Sequence, residues 1–406
     1  MSASRSDRGN AYDQQRVLNF VSLDSGSSIY QAVASELWAR REWKELAPPK
    51  DGLGTNLSMI KHCNVILGPC QGKGIPWDLV CFEQGEQVVN YLLGSKFITQ
   101  KADLALLLRK YFAANSHVEP FMPLTYVVVP QRGAPKVSSV RGRTPVRGYD
   151  DQRSAFLKEM MAREEGDYEN VWVAKTSKGS KGSGVKVLQG STALDWVDDT
   201  YGRTGEPIAV QKYVENPLLI YGFKFDVRVW ALLDVELGLY VHREGVLRLS
   251  AHPYVADDLE DTFAHLTNHC IAAQSEYYES LFEENEMFFD DFRDFLRKHH
   301  QDVDLDRDIL PQVNRQILHT VRAVWPRLRF SNRPGGFQLY GFDFIVDSDF
   351  SVWLLEVNGA PAAADRLKVK IAQDLIDLCI DSRFSPESEE YNDFRLIAPI
   401  EALGEE

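Results

Sequence analysis

An α/β or α+β chain of more than one domain is what this sequence predicts, on three observations. Strand-like apolar runs alternate with amphipathic helical ones along the whole chain. Its 406 residues exceed what a single core usually organises. A composition of 44% hydrophobic and 26% charged residues is the ordinary balance of a globular protein.

In order, the polar residues 1–16 read as a disordered tail without the apolar stretch of a secretory signal. "VLNFVSL" reads as a strand, and "SSIYQAVASELWARREW" as an amphipathic helix capped by Ser27 or Ser28. "CNVILG" is a short buried strand, "ADLALLLRKYFAA" a helix, and "TYVVV" a strand ending at Pro130. The stretch 131–148 is rich in Gly, Pro, Ser and Arg and has no acidic residue. It reads as a mobile basic loop, either a solvated linker or a segment drawn to an acidic partner. From Val171 the pattern is dense: "VWVAK", a Gly/Ser/Lys loop, "VKVL", a helix near "ALDWVDD", then "IAVQKYV". The runs "FKFDVRVWALLD" and "LYVHREGVLRL" are consecutive strands. Helices follow around "NEMFFDDFRDFLRKHH" and "PQVNRQILHTVRAVW", then a hairpin, then a helix from near Asp365. Residues 386–406 read as a frayed acidic tail.

A formal net charge of −14 argues against a general nucleic-acid binder, which would carry a basic footprint. Five scattered cysteines without CxxC spacing read as reduced thiols rather than a disulfide framework or zinc site. No apolar stretch is long enough to span a membrane. The expectation is a soluble, cytoplasmic monomer.

Three stretches carry chemistry. In "GFDFIVDSDFSVWLLEVNGAPAAA", residues 341–364, a turn centred between Asp349 and Phe350 would set Asp343 opposite Glu356 and Ile345 opposite Leu354, with Asn358 on the face of Glu356. Like charges facing each other call for a cation, and two carboxylates with an amide oxygen suit Mg²⁺. A solvated strand face is the alternative. "AKTSKGSKGSGVKV" places glycines and lysines between two strands, as a phosphate-covering lid or a plain surface hairpin. In "GFKFDVRVW", Lys224, Asp226 and Arg228 alternate with apolar residues. The charged face is either solvated or one wall of a polyphosphate cleft, which Arg243 and Arg248 on the next strand could extend. His265 and His269 in "HLTNH" have zincin spacing without its glutamate, so Thr267 and Asn268 read better as polar groups for a nucleotide. There is no GxSxG elbow, Walker A loop or GxGxxG fingerprint.

Taken in order, the lysine before the Gly-rich lid, "QKYV", "KFDVR", "REGVLR", "HLTNH", "GFDF" and "EVNGAPA" resemble the tubulin–tyrosine ligase family. The resemblance is dense from Val171 to Leu367 and thinner through "NVILG", "QVVNYLLGSKFITQKADL" and "TYVVVP". The ending "EVNGAPA" is more similar to the tyrosine-adding branch than to the glutamylating and glycylating branches. Phe223 before Lys224 and Gln100 before Lys101 depart from the basic residues common there.

The resemblance implies an ATP-grasp fold: an N-terminal domain at 17–97, a central domain at 98–209 and a C-terminal domain at 210–385, with ATP between the last two. It implies that Lys101, Lys175 and Lys181 approach the phosphates beneath the Gly179–Gly184 lid. Gln211, Lys212, Tyr213 and Val214 would form the adenine side, with Lys224, Asp226, Thr267 and Asn268 lining the nucleotide cleft. Asp343, Glu356 and Asn358 would hold Mg²⁺, and Lys224, Arg228, Arg248 and Glu356 would serve catalysis. The implied reaction uses ATP to activate the terminal carboxylate of α-tubulin as an acyl phosphate, which free L-tyrosine attacks. Glutamate or glycine ligation is the alternative within the family. A catalytically silent tubulin binder is the alternative outside it, and such a relative would be expected to have lost part of the metal triad or cationic strand.

Overall fold

The computed structural model describes residues 17–23, 26–46, 57–68, 75–80, 87–129, 149–162, 170–179, 182, 184–204, 206–276, 285–331, 335–384 and 391–404. The 1–16 tail, the basic 131–148 loop and Lys181 fall outside them. Among the described residues no helix is long and apolar enough to cross a membrane.

Among the described residues, three sheets organise the fold. The first is parallel, in the order β2-β1-β3-β4, from β1 (Leu18–Ser22), β2 (Trp43–Glu45), β3 (Val65–Leu67) and β4 (Val88–Val89). Its helix Ser28–Ala39 begins where expected, the Ser27 hydroxyl accepting from the Tyr30 amide. The second sheet is antiparallel, in the order β5-β8-β6-β7, from β5 (Thr125–Val128), β6 (Val171–Thr176), β7 (Val185–Gln189) and β8 (Ile208–Lys212). The third is the largest: β9 (Leu219–Ile220), β10 (Phe223–Asp234), β11 (Gly238–Leu249), β12 (Glu286–Phe288), β13 (Phe337–Val346), β14 (Val352–Asn358) and β15 (Phe394–Ala398). The mixed sheets and flanking helices agree with an α+β chain of the ATP-grasp kind.

Three boundaries differ from expectation. β8 completes the second sheet, so that unit runs past residue 209 to Lys212. The helix Lys101–Ala114 sends Ala102, Leu104 and Leu108 into the core of the large sheet, although its sequence position falls in the expected central domain. Residues 391–404 are not a frayed end, because β15 pairs with β11 and buries Phe394, Ala398 and Leu403. Alternating hydrophobicity over five residues within a polar stretch is too weak a pattern to read as a strand until a partner edge is known.

The large sheet is covered on both faces, which is why β13 is buried at every position. Val227, Val229, Phe342 and Phe344 pack against the helices Phe289–His299 and Leu310–Ser331. Trp230, Leu232 and Leu339 point the other way, into a core shared with the first sheet. Strand alternation puts Lys224, Asp226 and Arg228 on that same second face. They occupy the end of it that the second sheet roofs over, and the cleft lies there.

Candidate active site

The hairpin β13–β14 brings its three oxygen-bearing side chains together, but not by a regular register. Asp343 lies opposite Glu356 and Gly341 opposite Asn358, as a centre between Asp349 and Phe350 requires. Beyond that point the pairing shifts: Phe344 faces Leu354 and Ile345 faces Trp353, so the expected Ile345–Leu354 pair does not form. A bulge accommodates Leu355 as an extra residue on β14. Leu354 and Glu356 would share a face in a plain strand. With the bulge between them, Leu354 enters the core while Leu355 and Glu356 both line the cleft. Asn358 Nδ2 donates to Asp343 Oδ2 at 3.0 Å and to Glu356 Oε1 at 3.4 Å.

The alternating strand is not a solvated face. Lys224, Asp226 and Arg228 are all buried. Arg228 pairs with Asp343 through both arms of its fork, its second contact being 2.9 Å from Nη2 to Oδ2. Arg248, directly across from Asp226, grips that carboxylate and reaches Asp343 Oδ2 at 3.1 Å. Burial, with the like charge of Asp343, raises the Asp226 pKa against the pull of Arg248. Arg243 lies outside the cleft, exposed and near Asp393.

Three lysines complete the wall. Lys101 contacts Glu356 at 3.0 Å and donates to the Gly179 carbonyl at 2.8 Å. Lys175 donates to Gln211 Oε1 at 2.7 Å. Lys224 donates to the Tyr213 hydroxyl at 2.8 Å and the His265 carbonyl at 2.9 Å, lying 4.3 Å from the centre of the Tyr213 ring. Burial, reinforced by Lys101, lowers the Lys175 pKa to about 8. Burial, reinforced by Lys175, lowers Lys224 to about 7. Burial alone would raise the pKa of Glu356, but Lys101, Lys175 and Arg228 outweigh it and hold it well below the usual carboxylate range. The cleft and the wall behind it therefore carry four buried cations (Lys101, Lys175, Lys224, Arg228) and the half-buried Arg248 against the carboxylates of Asp226, Asp343 and Glu356. An uncompensated positive charge in a dry site is costly and is relieved by a bound anion.

Of the remaining expected residues, Val214, Thr267 and Asn268 line the same cleft. Lys212 does so without aiming its ammonium there; that group donates to the Val171 and Tyr213 carbonyls and contacts Glu215. In the lid, Gly182 and Gly184 both have φ of +74°, and a Cβ on either would lie 2.3 Å from Ile271 or Thr176 respectively. The zinc alternative for "HLTNH" fails because both ring nitrogens of His265 are engaged, one with the Tyr213 hydroxyl at 2.7 Å and the other with the Asp258 carbonyl at 2.9 Å. His265 is itself a cleft residue, which the sequence had offered only as a zinc ligand and not as a wall of the nucleotide cleft. A Ser275–His252–Asp261 hydrogen-bonded chain also exists, at 3.0 and 2.8 Å. Asp261 is a helix cap there, its carboxylate accepting from the Phe263 amide.

Arg228 and Arg248 front a second cavity of about 630 Å³, and Lys101 and Glu356 line both it and the first. Its far wall is Trp230 and the continuation Ala360–Ala364, which the sequence had marked only as a family signature. Trp230 Nε1 donates to the Ala362 carbonyl at 3.2 Å, fixing that wall. The paired arginines and the Asp343/Glu356 junction thus separate a cation-lined cleft from a half-apolar chamber. As a donor set, Asp343, Glu356 and Asn358 fit a hard divalent cation. Asn358 joins as an oxygen ligand once its amide is turned over, its nitrogen now facing the carboxylates.

The Tubulin-tyrosine ligase family matches residues 137–392. The chain belongs to that family. Among tubulin-tyrosine ligase family relatives, it is 30% identical over 225 residues to "Tubulin glycylase 3C" of Tetrahymena thermophila, covering 52% of this chain and 21% of the relative. It is 32% identical over 226 residues to "Probable tubulin polyglutamylase TTLL2" of Homo sapiens, covering 52% and 36%. It is 31% identical over 240 residues to "Probable tubulin polyglutamylase ttll-9" of Caenorhabditis elegans, covering 56% and 57%. The match thus takes in from about a fifth to somewhat over half of these three relatives' lengths.

Proposed function

We propose that this chain is an ATP-dependent carboxylate–amine ligase acting on the carboxyl end of α-tubulin, and that tyrosine is the amino acid it adds. The observation that carries the reading is the buried excess of cations at the junction of two cavities. A polyphosphate satisfies Lys101, Lys175 and Lys224, and the second cavity takes the acceptor. Arg228 and Arg248 stand at the junction, where a carboxylate oxygen would attack the γ-phosphorus and release ADP. The amine nitrogen then attacks the acyl carbon, phosphate leaves, and the amine loses a proton. Fixed guanidinium groups at that point stabilise charge on the transferring phosphoryl group. Asp343, Glu356 and Asn358 would hold Mg²⁺, which when bound neutralises phosphate charge. The cytoplasm is the proposed location and a monomer the proposed form.

Tyrosine is supported by the "EVNGAPA" continuation and by where it lies. Those residues and Trp230 wall the second cavity, next to an arginine pair able to receive a carboxylate. The glycylase and polyglutamylase names of the relatives favour a second reading, glycine or glutamate. Labelled tyrosine, glutamate and glycine offered in parallel with ATP, Mg²⁺ and detyrosinated tubulin separate the two. Tyrosine incorporation upholds the first, glutamate or glycine without tyrosine the second. No incorporation with retained tubulin binding makes the chain a silent binder.

A further inference from the structure

On the helix-covered back of β11, outside both cavities, His242, Asp374 and Asp393 converge from β11, the helix Asp365–Leu375 and the segment entering β15. One ligand atom from each lies within 4.8 Å of the others. The His242 and Asp374 side chains are essentially inaccessible, and among the described residues His242 Nε2 and Asp374 Oδ2 are buried without a hydrogen-bond partner. These two atoms point at each other across 3.7 Å. His242 Nδ1 lies 3.0 Å from the Glu244 carbonyl and 3.2 Å from the Glu244 amide, so either tautomer finds a partner on that side. With the proton on Nδ1 and donated to the carbonyl, Nε2 turns a lone pair toward a carboxylate oxygen. Two acceptors facing each other without a donor are costly in a dry interior.

A proton on Nε2 turns the contact into an ion pair but does not close it, because 3.7 Å is too long for a hydrogen bond. A metal ion does: bonds of about 2.0–2.2 Å to imidazole nitrogen and carboxylate oxygen span that gap. An imidazole oriented by Nδ1–H to a backbone carbonyl is also the usual arrangement around a metal-bound histidine. We propose that His242, Asp374 and Asp393 form a divalent zinc-type site, with a fourth position open to water beside the half-exposed Asp393. The imidazole ligand selects a zinc-like ion over Mg²⁺ or Ca²⁺. Lys370 contacts the other oxygen of Asp374 and lies 3.8 Å from Asp393. It competes for the second carboxylate and also donates to the Tyr391 carbonyl at 3.0 Å. The ion would tie the C-terminal strand and the helix Asp365–Leu375 to the sheet, a structural role separate from ligation.

The test uses the full chain, stripped with a chelator and titrated with Zn²⁺ against a chromogenic competitor, with Co²⁺ absorption as a second readout. One Zn²⁺ per chain is expected, weakened at least about 100-fold by His242→Gln and by Asp393→Asn. Lys370→Met is expected to tighten it, and Glu356→Gln in the cleft to leave it unchanged. Zn²⁺ should raise the melting temperature of the parent chain but not of His242→Gln. The absence of Zn²⁺ binding by the parent overturns the site. So does binding that survives His242→Gln and Asp393→Asn but is lost in Glu356→Gln.

Discussion

Lys224 sits with its ammonium between the Tyr213 hydroxyl and the His265 carbonyl, and burial pushes its pKa down to about 7. Lys175, at about 8, follows it. Both values are depressed from the ordinary lysine range, so the folded, ligand-free chain binds fewer protons than the unfolded one between about pH 7 and about 10. The two lysines therefore cost stability below about pH 7, and the cost fades as pH rises through that window. A bound polyphosphate reverses the depression by favouring the charged forms. ATP affinity is accordingly expected to fall with pH between about pH 7 and about 9, by up to about tenfold per pH unit for each lysine that must take up a proton, read by calorimetric titration; a flat profile contradicts it. Lys224→Met should weaken ATP by about tenfold or more while leaving the melting temperature equal or higher. Arg228→Ala should lower turnover by about 100-fold or more, with a melting temperature only a few degrees lower because Arg248 still holds Asp343. Near-normal ligation by that variant removes Arg228 from the mechanism.

At the scale of single elements, the bulge at Leu355 and the strand β15 were not legible in the sequence, for different physical reasons. The facing of Asp343 and Glu356 follows from counting back from the turn, and that much was readable. The shift beyond it depends on the three-dimensional demand that Leu354 fill the core while Glu356 faces the cleft, which period-two alternation cannot express. β15 is short and sits in polar sequence, so only its partner edge on β11 makes it a strand. Truncation after residue 390 is expected to lower the melting temperature by about 10 °C or more, or to leave the chain insoluble, because Phe394, Ala398 and Leu403 lose their cover. A truncated chain melting with the parent would restore the frayed-tail reading. In the lid, Gly184→Ala places a Cβ 2.3 Å from the Thr176 hydroxyl at a φ of +74°. Roughly 1–3 kcal/mol of strain is expected, seen as a lower melting temperature and weaker ATP binding.

Over the whole molecule, one long sheet serves two purposes on a single face. Trp230 and Leu232 are covered by the first sheet, and a few residues along the same strand Lys224, Asp226 and Arg228 meet the second. The charged residues were legible as a cluster because the alternation was strict. Their burial was not, since nothing in a strand pattern says which neighbour will roof it. In the proposed reaction the cation-lined cleft activates a carboxylate for the chamber beside it. Its most direct test is an ATP-dependent incorporation assay on detyrosinated tubulin with tyrosine, glutamate and glycine in parallel, counting ADP released per residue added. Tyrosine incorporation with one ADP for each tyrosine is expected, abolished by Glu356→Gln. Glutamate or glycine incorporation without tyrosine, or ATP turnover unlinked to any incorporation, would contradict it.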